Sequence, residues 1–197
     1  MLIFFKERLA FLATPKTGTS AIEKALHRRA SIVVRDPPGL KHTNARGFKR
    51  KFKPIVERAN LPPVETVAII REPVSWLGSW YRYRQRPALS GHKNSTEGIP
   101  FDAFVEAYLS DTPPDFAKLG AQSRFLCDDN EQCLVDHLYR YEDMSRFIDF
   151  MEARLNQNIT LEQVNASPNG STALSHALQT ELKRRFSRDF ALHSDLR

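Results

Sequence analysis

Residues 8–26 read RLAFLATPKTGTSAIEKAL. The apolar run Leu9 to Ala13 has strand length and feeds a turn, TPKTGTS, built around the single glycine Gly18. Ile22, Ala25 and Leu26 then recur at the spacing of one helix face and predict a helix over 20–30. A strand, a tight turn and a helix with hydroxyls in its first turn make a frame for an anion. The N–H groups that open a helix lack intrahelical partners and carry partial positive charge, and a glycine lets the ligand approach the main chain. Within the loop Pro15 to Ser20, Lys16 adds a full charge, and Thr17, Thr19 and Ser20 add hydroxyl donors. Simple capping by Thr14 or Thr17 would explain part of the same pattern. The order Gly-Lys-Ser/Thr and the four-residue spacer of an ATP-binding loop are missing, which argues against ATP.

Outward from this unit the chain alternates strands and helices. TVAII (66–70) is short and β-branched, and predicts a buried strand ending at Arg71; Pro73 suits the first turn of the helix that follows. Leu2 to Phe5, SIVVR (31–35) and DHLYRYEDM (136–144) predict further strands. Phe101, Phe104, Val105, Tyr108 and Leu109 share one helical face, as do Phe147, Ile148, Met151 and Leu155. Leu174, Leu178, Leu182, Phe186 and Phe190, at steps of four, predict one last helix ending near DFALH. PPGLKHTNA (37–45) has loop composition, RGFKRKFKPIVERA (46–59) is a dense basic segment broken near Pro54, and Pro87 to Pro100 reads as a long surface loop placed to act as a lid. There is no internal repeat and no linker, so the reading is one domain over 1–197. The fold class is α/β, a P-loop-like three-layer fold with a central, mainly parallel sheet flanked by helices.

Composition narrows the partners. Lysine and arginine number 29 against 23 acidic residues, giving a formal charge of +6 and a pI near 9.5, a balance that favours anionic ligands. Lys6, Glu7 and Arg8 interrupt the N-terminal apolar run, which does not suit a secretion signal, and no apolar stretch is long enough to span a bilayer. A soluble, cytoplasmic protein without a transmembrane segment is expected. Cys127 and Cys133 are the only cysteines, so there is no disulfide framework; with His137 they make a three-ligand metal set of poor spacing, and no metal is expected.

A second pattern, REPVSWLGSWY (71–81), puts Arg71 at the carboxyl end of its strand, where ligands gather in open α/β sheets, and Ser79 on the next helix. From Pro73 to Ser79 the helix rises about 9 Å, which a long arginine can partly fold back along. PKTGTS together with Arg-x-Pro and Ser-x-Tyr resembles the sulfotransferases that use 3′-phosphoadenosine 5′-phosphosulfate (PAPS), in particular the carbohydrate-modifying and bacterial branch. YRYEDM (139–144) and VNASPNG (164–170) look like that family too, so the likeness covers most of the chain.

The resemblance implies that Pro15, Lys16, Thr17, Gly18, Thr19 and Ser20 hold the 5′-phosphosulfate end, that Arg71 and Ser79 hold the 3′-phosphate, and that adenosine 3′,5′-bisphosphate (PAP) is the product. Lys16 would neutralise charge on the bridging oxygen, with no metal required. His42, in LKHTNARGF, resembles the segment with the catalytic histidine in some members and has the unperturbed pKa of a general base near neutrality. His92 and Glu72 are weaker candidates for that role, and Lys41 would assist. The acceptor would be a hydroxyl on a carbohydrate or small metabolite. An anionic glycan would suit the cations Arg46, Lys49, Arg50, Lys51, Lys53 and Arg58, or the interleaved Trp80, Tyr81, Arg82, Tyr83, Arg84 and Arg86, although solvated lysines and core aromatics account for these better. Asn169, Ser171 and Thr172 would lie near the 3′ end or simply cap a helix; Gln122, Ser123 and Arg124 stay unassigned. The competing readings are a nucleotide kinase or other NTP-dependent enzyme, and a non-enzymatic basic module for polyanions; nucleic acid is not expected, and the oligomeric state is not legible.

Overall fold

A computed structural model of the chain describes residues 1–57, 62–162 and 172–196. Arg58, Asn169, Ser171 and the VNASPNG stretch (164–170) lie outside the described residues. Strands β1 (Leu2–Phe4) and β2 (Leu9–Leu12) pair antiparallel, Leu2 against Phe11. Helix α1 (Thr19–Leu26) follows the anion-type loop and ends earlier than the periodicity predicts. His27, Arg28 and Arg29 offer no apolar face to bury, and the Ser31 N–H donates to the Ile3 carbonyl (2.8 Å), drawing the chain into β3 (Ile32–Val33).

The stretch read as loop at 37–45 holds two short helices, α2 (Pro38–Lys41) and α3 (Ala45–Gly47). The basic segment is widened rather than broken. Residues Phe48–Phe52 form a π-helical turn in which the Lys53 N–H reaches back five residues to the Phe48 carbonyl. Pro54 then falls in the first turn of α4 (Lys53–Val56), where no N–H is needed.

Strand β4 (Glu65–Ile70) leads to α5 (Pro73–Arg84), α6 (Phe101–Leu109) and the short α7 (Gln122–Leu126). Strand β5 (His137–Arg140) is shorter than predicted, because Tyr141–Asp143 close into a 3₁₀ turn before α8 (Met144–Leu155). The last predicted helix is two, α9 (His176–Arg185) and α10 (Ser187–Ser194), parted at Phe186, whose φ of −116° leaves helical geometry.

The five strands lie in the order β3-β1-β2-β4-β5. β2, β4 and β5 pair in parallel, whereas β1 is antiparallel to both of its neighbours, so the sheet is mixed rather than mainly parallel. The reason is connection length: residues 5–8 are too few for a crossover and permit only a hairpin. Side chains alternate between two cores. Ile3, Ala10, Leu12, Ala68 and Ile70 face Ala45, Phe48, Leu126 and Leu192, while Leu2, Leu9, Phe11, Val67 and Ile69 face Ile22, Leu26, Phe147 and Met151. With both faces covered by helices, β1, β2 and residues Val67 to Ile70 of β4 are apolar throughout. The segment placed as a lid is fixed to α5: the fully buried Thr96 donates its hydroxyl to the Tyr81 carbonyl (2.9 Å), and the Tyr81 hydroxyl donates to the Ile99 carbonyl (2.6 Å). No helix among the described residues is long and apolar enough to cross a membrane.

Candidate functional site

Parallel pairing of β2, β4 and β5 brings their carboxyl ends to one edge of the sheet, and with them the loop Thr14–Ser20, Arg71 and Tyr141. The loop is held in place from three sides. Trp76 Nε1–H donates to the Pro15 carbonyl (2.9 Å), Arg71 Nη1–H to the Lys16 carbonyl (3.4 Å), and the buried Thr17 hydroxyl to the Thr14 carbonyl (2.8 Å). These contacts fix two left-handed residues, Lys16 at φ 66° and Gly18 at φ 77°. For a lysine that conformation costs about 1–2 kcal/mol. Gly18 caps α1, leaving the N–H groups of Thr19 and Ser20 without intrahelical partners.

Lys16 lies among aromatics and cations. Its Nζ sits 4.1 Å from the Tyr83 ring centroid and 5.6 Å from that of Trp80. Burial, with Arg86, Arg71 and Arg82 nearby, lowers its pKa to about 8. Among the described residues none of these four cations has a carboxylate at ion-pair distance. Arg71 instead stacks its guanidinium 4.2 Å from the Tyr141 ring centroid.

Arg71 donates from Nε to the Ser75 hydroxyl (2.9 Å), so Ser75 rather than Ser79 is its direct partner on α5. Ser79 is buried one turn further on, and its neighbour Gly78 lies against Thr172, whose Cγ2 is 3.0 Å from where a Cβ would stand. At 100° per residue, Ser75, Ser79 and Arg82 fall on one stripe, which Arg71 extends before the helix and Arg86 after it. Trp76, Trp80 and Tyr83 form a second stripe facing the loop and Lys16. The third is core. Tyr81 packs on Phe101 and Phe104, and the buried Arg84 donates to the Asp115 carbonyl (3.0 Å) and the Phe116 carbonyl. Tyr81 and Arg84 therefore leave the set of acceptor candidates.

His42 reaches the same edge. Its Nδ1 lies 2.6 Å from the Ala13 carbonyl, which only accepts, so Nδ1 carries the proton and Nε2 presents a lone pair. Burial lowers its pKa, partly opposed by that hydrogen bond, and favours the neutral ring. The other base candidates are engaged elsewhere. Glu72 caps α5 through the Val74 and Ser75 N–H groups (3.0 and 2.6 Å), and the exposed His92 accepts from the Asn94 N–H (3.1 Å). Lys41 pairs with Glu23 on α1 (2.9 Å) instead of facing an acceptor.

Gln122, unassigned from sequence, brackets the Arg71 backbone. The Arg71 N–H donates to its Oε1 (2.9 Å), and its Nε2 donates to the Arg71 carbonyl (2.7 Å). Asp189 from α10 accepts the N–H groups of Gln122 and Ser123 (2.9 and 2.8 Å) and so anchors α7. Cys127 and Cys133 face each other in an isolated antiparallel bridge, but His137 turns to Glu65 (2.9 Å) and packs at a tilt against the Phe150 ring, so the suggested metal set does not assemble among the described residues. No protein-family model matches the sequence, and no curated protein matches it either.

Proposed function

We propose that the protein is a sulfotransferase that moves the sulfuryl group of PAPS to an acceptor hydroxyl, and that its strand-loop-helix unit is P-loop-like. The observation that carries this reading is the meeting of the PKTGTS loop and Arg71 at adjacent parallel strand ends, amid four cations with no carboxylate at ion-pair distance among the described residues. A nucleotide with a phosphate group at each end needs two such anchors, and their charge needs an anion. The Trp80 Nε1 and Thr14 Oγ1, buried without hydrogen-bond partners among the described residues, fit a polar ligand at this edge.

In this reading the N–H groups and hydroxyls of Thr19 and Ser20, with Lys16, hold the 5′ end, while Arg71, Ser75 and Ser79 hold the 3′-phosphate. The donor supplies an activated sulfur–oxygen bond. His42 Nε2 takes the acceptor proton as the acceptor oxygen bonds to sulfur, and Lys16 leaves the Tyr83 ring to meet the negative charge left on the departing phosphate oxygen. Positioning and charge stabilisation carry the catalysis, as in phosphoryl transfer.

The test is transfer of labelled sulfuryl from PAPS to a panel of hydroxyl acceptors. Wild-type protein is expected to turn over, and His42→Ala to lose about a hundredfold or more in kcat with unchanged affinity for adenosine 3′,5′-bisphosphate. Wild-type kcat in the variant would remove His42 from the mechanism, and absence of nucleotide binding would remove the mechanism itself.

A further inference from the structure

A cavity of about 360 Å³ opens beside His42, lined by Asn44, Arg50, Lys51, Arg124 and Phe125 among others. Two contacts tie it to the site above: His42 meets the carbonyl of Ala13, one residue before the anion loop, and the cavity-lining Ala121 precedes Gln122, which brackets Arg71. Within the basic segment the cations divide. Arg46 pairs with Asp129 and Lys53 with Glu57, whereas Arg50 and Lys51 face the cavity with no carboxylate at ion-pair distance among the described residues. Arg124, arriving from α7, is unpaired in the same sense, and among the described residues no acidic side chain lines the cavity. Arg50 and Lys51 sit on the π-helical turn Phe48–Phe52, in which Phe48 and Phe52 stack (6.4 Å between centroids).

We infer that this cavity seats the acceptor and selects a small hydroxylated acid. The hydroxyl is presented to His42 Nε2, and the acid's carboxylate or sulfate group is met by Arg50, Lys51 and Arg124. Guanidinium groups suit such oxyanions because their paired N–H donors match two oxygens at once. The volume lies at the small end of the roughly 300–1,000 Å³ found for ligand pockets, which fits a single small molecule rather than a run of a polymer. The assignment of an acceptor, as opposed to a bystander anion, rests on the sulfotransferase reading.

Titrations followed by the NMR signals of His42 and Arg124 test it, with glucose, glucuronate, glucose 6-sulfate and a glucuronate-containing tetrasaccharide as probes. At least one acid monosaccharide is expected to bind about tenfold or more tighter than glucose, and the two acids separate a carboxylate from a sulfate preference. The triple variant R50Q/K51Q/R124Q, all at exposed positions, is expected to lose that preference while binding adenosine 3′,5′-bisphosphate within about twofold of wild type. Equal binding of the acids and glucose, a preference that survives the triple variant, or a tetrasaccharide bound far more tightly than either acid would each overturn the proposal. Because bisphosphate binding is measured separately, its failure alongside an intact acid preference would sink the donor reading and leave the anion cavity standing.

Discussion

Lys16 is the residue on which the site's electrostatics turn. Burial and three neighbouring arginines lower its pKa to about 8, below the ordinary 10.5, so folding is opposed by a buried cation below about pH 8 and that opposition fades as pH rises toward 10.5. An anionic ligand reverses the balance by favouring the charged form. The affinity for adenosine 3′,5′-bisphosphate is therefore expected to fall as pH rises through about 8, with net proton uptake on binding near that pH. Calorimetry in buffers of different ionisation enthalpy reads both quantities; a flat profile from pH 7 to about 9.5 would mean that Lys16 does not face the ligand. His42 is shifted in the same direction by burial, so its neutral form, and with it the basic Nε2, persists below the ordinary imidazole pKa. The rate for sulfuryl transfer is expected to hold as pH is lowered through 6.5 and to decline only below it.

At the scale of elements, α5 organises the site because one helix carries three stripes. The sequence showed an interleaving of aromatics and arginines, and periodicity separates Trp76, Trp80 and Tyr83 from Tyr81 and Arg84 without further information. Less legible was α7. Five residues between loops carry no periodic signal, and the role of Gln122 depends on a backbone partner fifty-one positions away in sequence. Tyr141 was hidden differently: YRYEDM reads as strand, and only the 3₁₀ turn places its ring against Arg71. Likewise, steps of four ran straight through the break at Phe186, because a kinked helix pair can keep its apolar face aligned.

The anchoring of α7 yields its own expectation. Asp189→Asn places an amide N–H₂ against a buried N–H of Gln122 or Ser123, so a loss of about 1–3 kcal/mol is expected in urea unfolding, together with weaker bisphosphate binding. Unchanged stability would show that Asp189 does not hold the element. In the adjoining hairpin, burial pushes the Cys127 thiol up to about 11 while Cys133 is exposed. Alkylation at about pH 8, read by peptide mass spectrometry, is expected to label Cys133 first. Preferential labelling of Cys127 would contradict this placement.

Across the whole molecule, charge is sorted by position. Carboxylates such as Glu23, Glu65 and Glu142 pair with cations or histidines, while Lys16, Arg71, Arg82 and Arg86 gather at the carboxyl edge of the sheet with no carboxylate at ion-pair distance among the described residues. These four cations stand where an anion would arrive on a chain of formal charge +6, and the on-rate for the bisphosphate is expected to fall steeply between low salt and about 0.15 M. The parallel core was legible because apolar β-branched strands alternated with helical segments; the reversed β1 was legible only in the brevity of residues 5–8. The central claim is that one nucleotide spans the PKTGTS loop and Arg71. Calorimetric titration with adenosine 3′,5′-bisphosphate measures it most directly, against ATP with magnesium as the competitor. The account expects saturable, metal-independent binding, tighter than that of ATP and weakened about tenfold or more by Lys16→Ala and by Arg71→Ala separately. No binding, tighter binding of ATP with magnesium, or binding indifferent to either substitution would contradict it.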